Sequence, residues 1–185
     1  MTAPWDNRLP TALFVGGKEY AIRSDYRAVL DIFLALTDPE LDSSDKVLAS
    51  LGIMYVDADT IPVEHLQEAV EKCFWFLRGG EDEPTRRQTQ LVSWEQDFNI
   101  IAAPISTIIG KDIRGVEYLH WWSFLSAYMS IGDCLFSQVL HIRDLRKRGK
   151  PLSKADREFE RRNSDLIRIK KPLTSAEEEI LKEWM

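Results

Sequence analysis

Residues 115–134 read GVEYLHWWSFLSAYMSIGDC, an apolar run holding two adjacent tryptophans, a histidine, two tyrosines and a cysteine. Steps of three and four residues place Tyr118, Trp121, Trp122, Leu125, Tyr128, Met129 and Gly132 on one side of a helix. A second track, His120, Ser123, Ala127 and Ser130, is small and weakly polar, which lets another helix approach closely. With Phe124 and Ile131 beside these tracks, little of the helix suits water, so it must be central to a bundle or covered by another subunit. The pattern predicts a helix from Glu117 to at least Ile131, continuing past Gly132 into DCLFSQVLHIRDLRKRGK.

Upstream, ALFVGGKEYAIR (12–23) predicts a β-hairpin, because Gly16-Gly17 can supply the positive φ angles of a two-residue turn. Ser24 or Asp25 can cap a helix to about residue 36, with Tyr26, Val29, Leu30, Phe33 and Leu36 on one stripe. A second helix is expected over about 44–55. A third starts near Pro62 with Leu66, Val70, Cys73, Phe74 and Leu77 on one face, and Gly79-Gly80 ends it. EDEPTRRQTQ (81–90) reads as a polar loop. LVSWEQDFNIIAAPISTIIG then resumes a helix through Trp94, Phe98, Ile101, Ile105 and Ile108, which Pro104 should kink or divide and Gly110 should close.

Downstream, Lys150-Pro151 is a stop, Ser153 caps the charged helix KADREFERRN, and Thr174 with Glu177 has capping-box spacing ahead of a final helix. The fold class is mainly α: a helical bundle with a small N-terminal β-hairpin and a basic C-terminal helical arm. The expected division is a helical core over residues 1–150, with the hairpin at 12–23, and a charged helical extension over 151–185.

Composition narrows the function classes. Hydrophobic residues at 44% and charged residues at 29% of a 185-residue chain describe a folded globular protein, too apolar for general disorder. The start lacks the basic and apolar regions of a signal peptide, and the apolar run 100–110 is far short of the roughly 20 residues of a membrane helix. Cys73 and Cys134 lie in apolar helical patterns without CxxC spacing and read as free thiols.

Catalysis would have to draw on His120, Asp133, Cys134 and His141. On one helix Cys134 and His120 stand about 21 Å apart and Cys134 and His141 about 10 Å, beyond dyad distance. His65 with Glu64 and Glu68 lacks metal-ligand spacing, and neither GG pair belongs to a phosphate loop. No enzymatic function, metal or cofactor is expected. The aromatic face keeps two readings: a core whose indole N–H and phenol O–H groups find partners, or a docking surface, with Tyr118, Trp121, Trp122, Phe124 and Tyr128 as its contact residues.

The net charge of −6 is unevenly spread: +7 over 143–171, −10 over 1–142 and −3 over 172–185. Arg143, Arg146, Lys147, Arg148 and Lys150 could make electrostatic contacts, including with nucleic acid. Interleaved Asp144, Asp156, Glu158 and Glu160 argue instead for a solvated helix with internal pairs, and nucleic-acid binding is the weaker reading. A basic arm and an acidic body also suggest self-association.

The run GKDIRGVEYLHWWSFLSAYMSIGDCLFSQVLHIRDLRKRGKPLSKADREFERRN closely resembles the most distinctive block of the phage "gene product fifteen" family, found in tail-gene clusters of phages and prophages of Gram-positive bacteria. LFVGGKEYAIRSDYRAVLDIF is similar to that family's opening and WEQDFNIIAAPIST to its middle, and His120, Trp121, Trp122 and Phe124 form the most specific part. The family's genes lie between those of the major tail and tape-measure proteins, the place of tail assembly chaperones. The resemblance implies a non-enzymatic chaperone in the host bacterial cytoplasm that covers the tape-measure protein until tail-tube protein polymerises around it, and that is absent from the mature virion. Alternatives are a structural tail or head-tail connector protein and, further off, a nucleic-acid-binding regulator. The resemblance brings no catalytic residues.

Overall fold

The computed structural model describes residues 9–81 and 91–170, which form two compact units. The expected helix at Thr174 and all but Glu81 of the expected loop 81–90 lie outside the described residues.

The first unit contains residues 9–81 and 118–125. Strands β1 (Ala12–Val15) and β2 (Lys18–Ala21) pair antiparallel, with Leu13 opposite Tyr20 and Val15 opposite Lys18. Gly16 and Gly17 have φ of 59° and 77°, the left-handed pair that a two-residue hairpin requires. Alternation puts Leu13, Val15 and Tyr20 inside and leaves Phe14 exposed. Helix α1 (Tyr26–Thr37) is capped by Asp25, whose carboxylate accepts from the Arg27 N–H, and α2 (Ser43–Met54) by Asp42, which accepts from the N–H groups of Ser44 and Asp45.

Two 3₁₀ turns, Ala58–Thr60 and Val63–His65, lead into α3 (Leu66–Leu77), which Gly79 and Gly80 end at φ of 76° and 86°. The buried stripe of α3 is Ala69, Cys73, Phe76 and Leu77. It is rotated from the expected one, so Phe74 is half-buried and Phe76 is wholly inside.

The second unit contains residues 91–117 and 126–170. Helix α4 (Trp94–Ile109) starts at the Ser93 cap and ends at Gly110, which is left-handed at φ 77°. Of the two outcomes expected of Pro104, a kink or a division, the division does not occur: Pro104 sits inside the single helix α4. A proline removes one N–H and leaves the ladder on either side intact, so flanking packing by Ile101, Ala102 and Ile105 carries the helix through. A 3₁₀ turn, Ile113–Gly115, follows.

The expected long helix from 117 to about 150 is two helices. Helix α5 spans Trp121–Met129, contributing 121–125 to the first unit and 126–129 to the second, and α6 spans Leu135–Lys147. Residues 118–120 are not helical because they are extended against 24–26: the Tyr26 N–H donates to the Leu119 carbonyl (2.9 Å) and the Trp121 N–H to the Ser24 carbonyl (2.8 Å). The helix fails again after Met129, where Gly132 disfavours it and Cys134 adopts an extended cap, its N–H donating to Ser137 Oγ at 2.8 Å.

Helices α7 (Lys154–Arg162) and α8 (Ser164–Ile167) complete the second unit. Ser153 caps α7, as the sequence predicts, and forms with Asp156 a reciprocal capping box.

Candidate partner surfaces and the aromatic segment

The aromatic segment is held by backbone, ring and indole contacts at once. Asp25 caps α1 and with its other oxygen accepts from the Leu119 N–H (2.8 Å), so one carboxylate both starts a helix and anchors a segment 94 residues away. Trp121 Nε1–H donates to the Leu77 carbonyl and Trp122 Nε1–H to the Phe76 carbonyl, both at 2.9 Å, which caps the carbonyl end of α3. Phe124 stacks on Tyr26 with ring centroids 4.8 Å apart and an interplanar angle of 3°, and Trp121 stacks on Phe124 at 5.5 Å. Gly80 is required where the Trp122 ring passes: a Cβ there would lie 2.7 Å from it.

His120 is fixed as a neutral ring. Its Nδ1 accepts the Trp122 N–H (3.0 Å), so the proton is on Nε2, which donates to the Pro10 carbonyl (3.0 Å). Burial pushes its pKa below the ordinary histidine value, with the Pro10 hydrogen bond opposing in part. These ties make His120 a structural residue. Cys73 is buried without a charge to stabilise a thiolate, and burial pushes its thiol up to about 12.

The five expected partner-binding aromatics therefore separate. Trp121 (1% exposed) and Phe124 (0%) are interior and offer no docking surface, which corrects their assignment. Trp122 is half-buried, and Tyr118 is 54% exposed while its hydroxyl is hydrogen-bonded to Ser24 Oγ at 2.8 Å. Tyr128, half-buried in the second unit, packs against Trp94 and Phe136. Helical steps place Tyr118, Trp121, Trp122 and Tyr128 on one side with Phe124 beside them, but only an isolated straight helix would keep them so.

The basic set separates too. Arg143 is buried, and all five of its donors are used: Nη1 and Nη2 on the two oxygens of Asp97 (2.6 and 2.9 Å), and the rest on the carbonyls of Leu91, Leu166 and Ile167. It is a structural clamp and not an electrostatic contact for a partner, a second correction. Gln96 extends the clamp, donating to the carbonyls of Asp165 and Arg168 and accepting the Lys170 N–H, so residues 164–170 are pinned to α4. Arg146 forms a two-bond pair with Glu160, whose pKa it lowers, and Arg148 pairs with Asp144 at 3.0 Å. Lys147 and Lys150 are exposed.

A feature absent from the sequence reading lies in the second unit. An open groove of about 600 Å³ runs along the outer side of α4, lined by Ile100, Ala103, Pro104, Thr107 and Ile108, and is closed by Ser130 and Gly132–Leu135 from the α5–α6 break. Its walls are mainly apolar, Ile108 and Leu135 are 45% and 42% exposed, and Cys134 and Asp133 stand at the connection. The signal for it was present: α4 is apolar on two faces, Ile101, Ala102 and Ile105 within and Ile100, Ala103, Pro104 and Ile108 without. Ile108, part of the helical pattern read with Ile101 and Ile105, belongs to the outer face.

Among the described residues no group of three or more His, Cys, Asp or Glu is placed to hold a metal ion, and no helix is long and apolar enough to cross a membrane. The model of the family described as Bacteriophage Gp15 protein matches residues 5–168. The chain belongs to this bacteriophage family, and membership implies a structural or assembly role in the phage. No curated protein and no solved structure matches it.

Proposed function

We propose that the protein is a non-enzymatic tail assembly chaperone that covers apolar helical segments of the tape-measure protein before the tail-tube protein encloses them. The groove along α4 carries this reading: it is open, apolar and bordered by two helix ends, the form of a site that takes one face of an amphipathic helix. Family membership supplies the phage setting. A long client with repeated apolar segments would engage many copies and gain avidity from them.

In this role the protein acts in the host cytoplasm and leaves before the virion is complete. The test is co-expression with the tape-measure protein of the same phage, followed by affinity capture and sizing. Soluble client should depend on this protein and co-purify with it. Ala103→Glu and Ile108→Glu, both at exposed positions, should abolish capture while leaving the circular dichroism spectrum unchanged. Client capture that survives both changes would overturn the groove assignment, and detection of the protein in purified particles would replace the chaperone with a structural component.

A further inference from the structure

The basic side chains on and beside α7 differ in whether they hold an acidic partner. Arg143, Arg146, Arg148 and Arg162 each hold an acidic partner. Lys154, Arg157 and Arg161 do not: they are exposed, lie three and four residues apart on one face of α7, and take no ion-pair partner among the described residues. The acids of α7 that could have neutralised them are already engaged, Asp156 with Ser153 and His141, Glu158 with Arg162, and Glu160 with Arg146. The outer face of α7 thus carries three cations without an ion-pair partner among the described residues, beside a shallow depression that Glu158, paired with Arg162, also lines.

The first unit carries the complement. Residues 31–59 hold seven Asp or Glu against Lys46 alone. They form the α1–α2 helical hairpin and the chain that leaves it, and Asp31, Asp42 and Asp45 are exposed without an ion-pair partner among the described residues. Leu34 and Leu48, 41% and 57% exposed on the same two helices, add apolar area to that acidic face.

We infer that the basic face of α7 docks on the acidic α1–α2 hairpin of a second copy of this chain. The two surfaces differ, so the contact is heterologous and each copy presents one of each, which propagates as an open head-to-tail chain unless the rotation closes a ring. A second copy fits this face better than a nucleic acid. Residues 1–142 carry a net −10 that would repel a polyanion, whereas the same charge attracts three cations presented by another copy. The inference goes beyond the client reading and holds whatever the α4 groove binds.

The test is sedimentation velocity of the full chain over a concentration series at about 0.1 M and about 1 M salt, where the Debye length falls from ~10 Å to ~3 Å. Larger species should grow with concentration at low salt and disperse at high salt. Two charge-reversed variants are made, one Lys154→Glu with Arg157→Glu and Arg161→Glu, the other Asp31→Lys with Glu40→Lys and Asp45→Lys. Each alone should weaken association by about tenfold or more. Mixed, they again present opposite charges at every junction, so assembly should return.

That recovery separates a direct contact from damage to the fold, which no mixture would repair. A wild-type chain that stays monomeric at low salt, variants that assemble normally, or a mixture that stays monomeric would each overturn the inference. A duplex DNA oligomer serves as the competing probe. If the α7 variant loses DNA binding while assembling like wild type, the basic face serves nucleic acid and the inference is wrong.

Discussion

Arg143→Met tests the clamp of the second unit. Arg143 and Asp97 are 5% and 0% exposed, and every guanidinium N–H has an acceptor: two carboxylate oxygens and three backbone carbonyls. Methionine keeps much of the volume and removes all five bonds. Asp97 would then stay buried with the Ser93 N–H as its remaining partner in this cluster, and breaking one side of a buried pair in this way costs about 3–5 kcal/mol. Asp97→Ala leaves the opposite charge uncompensated and should cost a similar amount. The double change removes both charges together, so it should cost clearly less than the sum, with a coupling of about 3 kcal/mol.

The assay is hydrogen exchange read at amides of α4, α6 and 164–170, combined with urea denaturation, because two units need not unfold together. Protection should fall first at 164–170, which lose the carbonyl contacts at Leu166 and Ile167. An independent reading comes from Tyr128, whose pKa burial raises first and the Asp97 charge raises further. In Asp97→Asn its titration should move back toward the ordinary phenol value. A cost for Arg143→Met below about 1 kcal/mol, or losses that simply add, would refute the reasoning.

Trp121→Ala should cost about 3–5 kcal/mol, since it empties a buried ring site and frees the Leu77 carbonyl, whereas Tyr118→Phe, losing one hydroxyl bond, should cost about 1 kcal/mol. Thermal melts that found the two equal would place Trp121 on the surface. Gly17→Ala should cost about 1–2 kcal/mol for its positive φ alone, and Gly16→Ala more, because a Cβ there would also lie 2.4 Å from the His65 ring; urea midpoints decide the order. The lowered pKa of His120 means that the unfolded chain binds more protons between the folded value and about 6.5. Its stabilising contribution is therefore complete above about pH 6.5 and is lost as pH falls through the folded value, a slope that His120→Gln should flatten in urea titrations above pH 5.

How far the sequence foretold this fold depends on whether a signal was local. The Gly16-Gly17 turn, the Asp25 and Ser153 caps and the glycine stops at 79–80 and 110 rest on one residue's allowed φ or one side chain's reach, and all occur as expected. Long-range pairing was invisible to those signals. Residues 118–120 have helical neighbours and an apolar period, yet they are extended because Ser24, Asp25 and Tyr26, some 94 residues earlier, offer them backbone partners. The break at 130–134 was foreshadowed by Gly132, whose cost of about 1 kcal/mol in a helix was set against a continuous apolar pattern and prevailed.

The site was harder to read for a different physical reason. Hydrophobic periodicity reports that a face avoids water, and an aromatic ring inside a core and one in a docking surface satisfy it equally. Trp121 and Phe124 could be sorted from Tyr118 only by finding what lies against them: Tyr26 and Phe33 from α1 and the end of α3. Arg143 shows the same ambiguity for charge, since a basic run gives no sign of which member turns inward to meet Asp97, 46 residues away. The α4 groove inverts the problem. Two apolar faces on one helix cannot both be served by a single neighbouring layer, so the excess of apolar surface on a helix closed by Ser93 and Gly110 is the sequence trace of the groove, and Ile108 and Ala103 are where the proposed occupant should be sought.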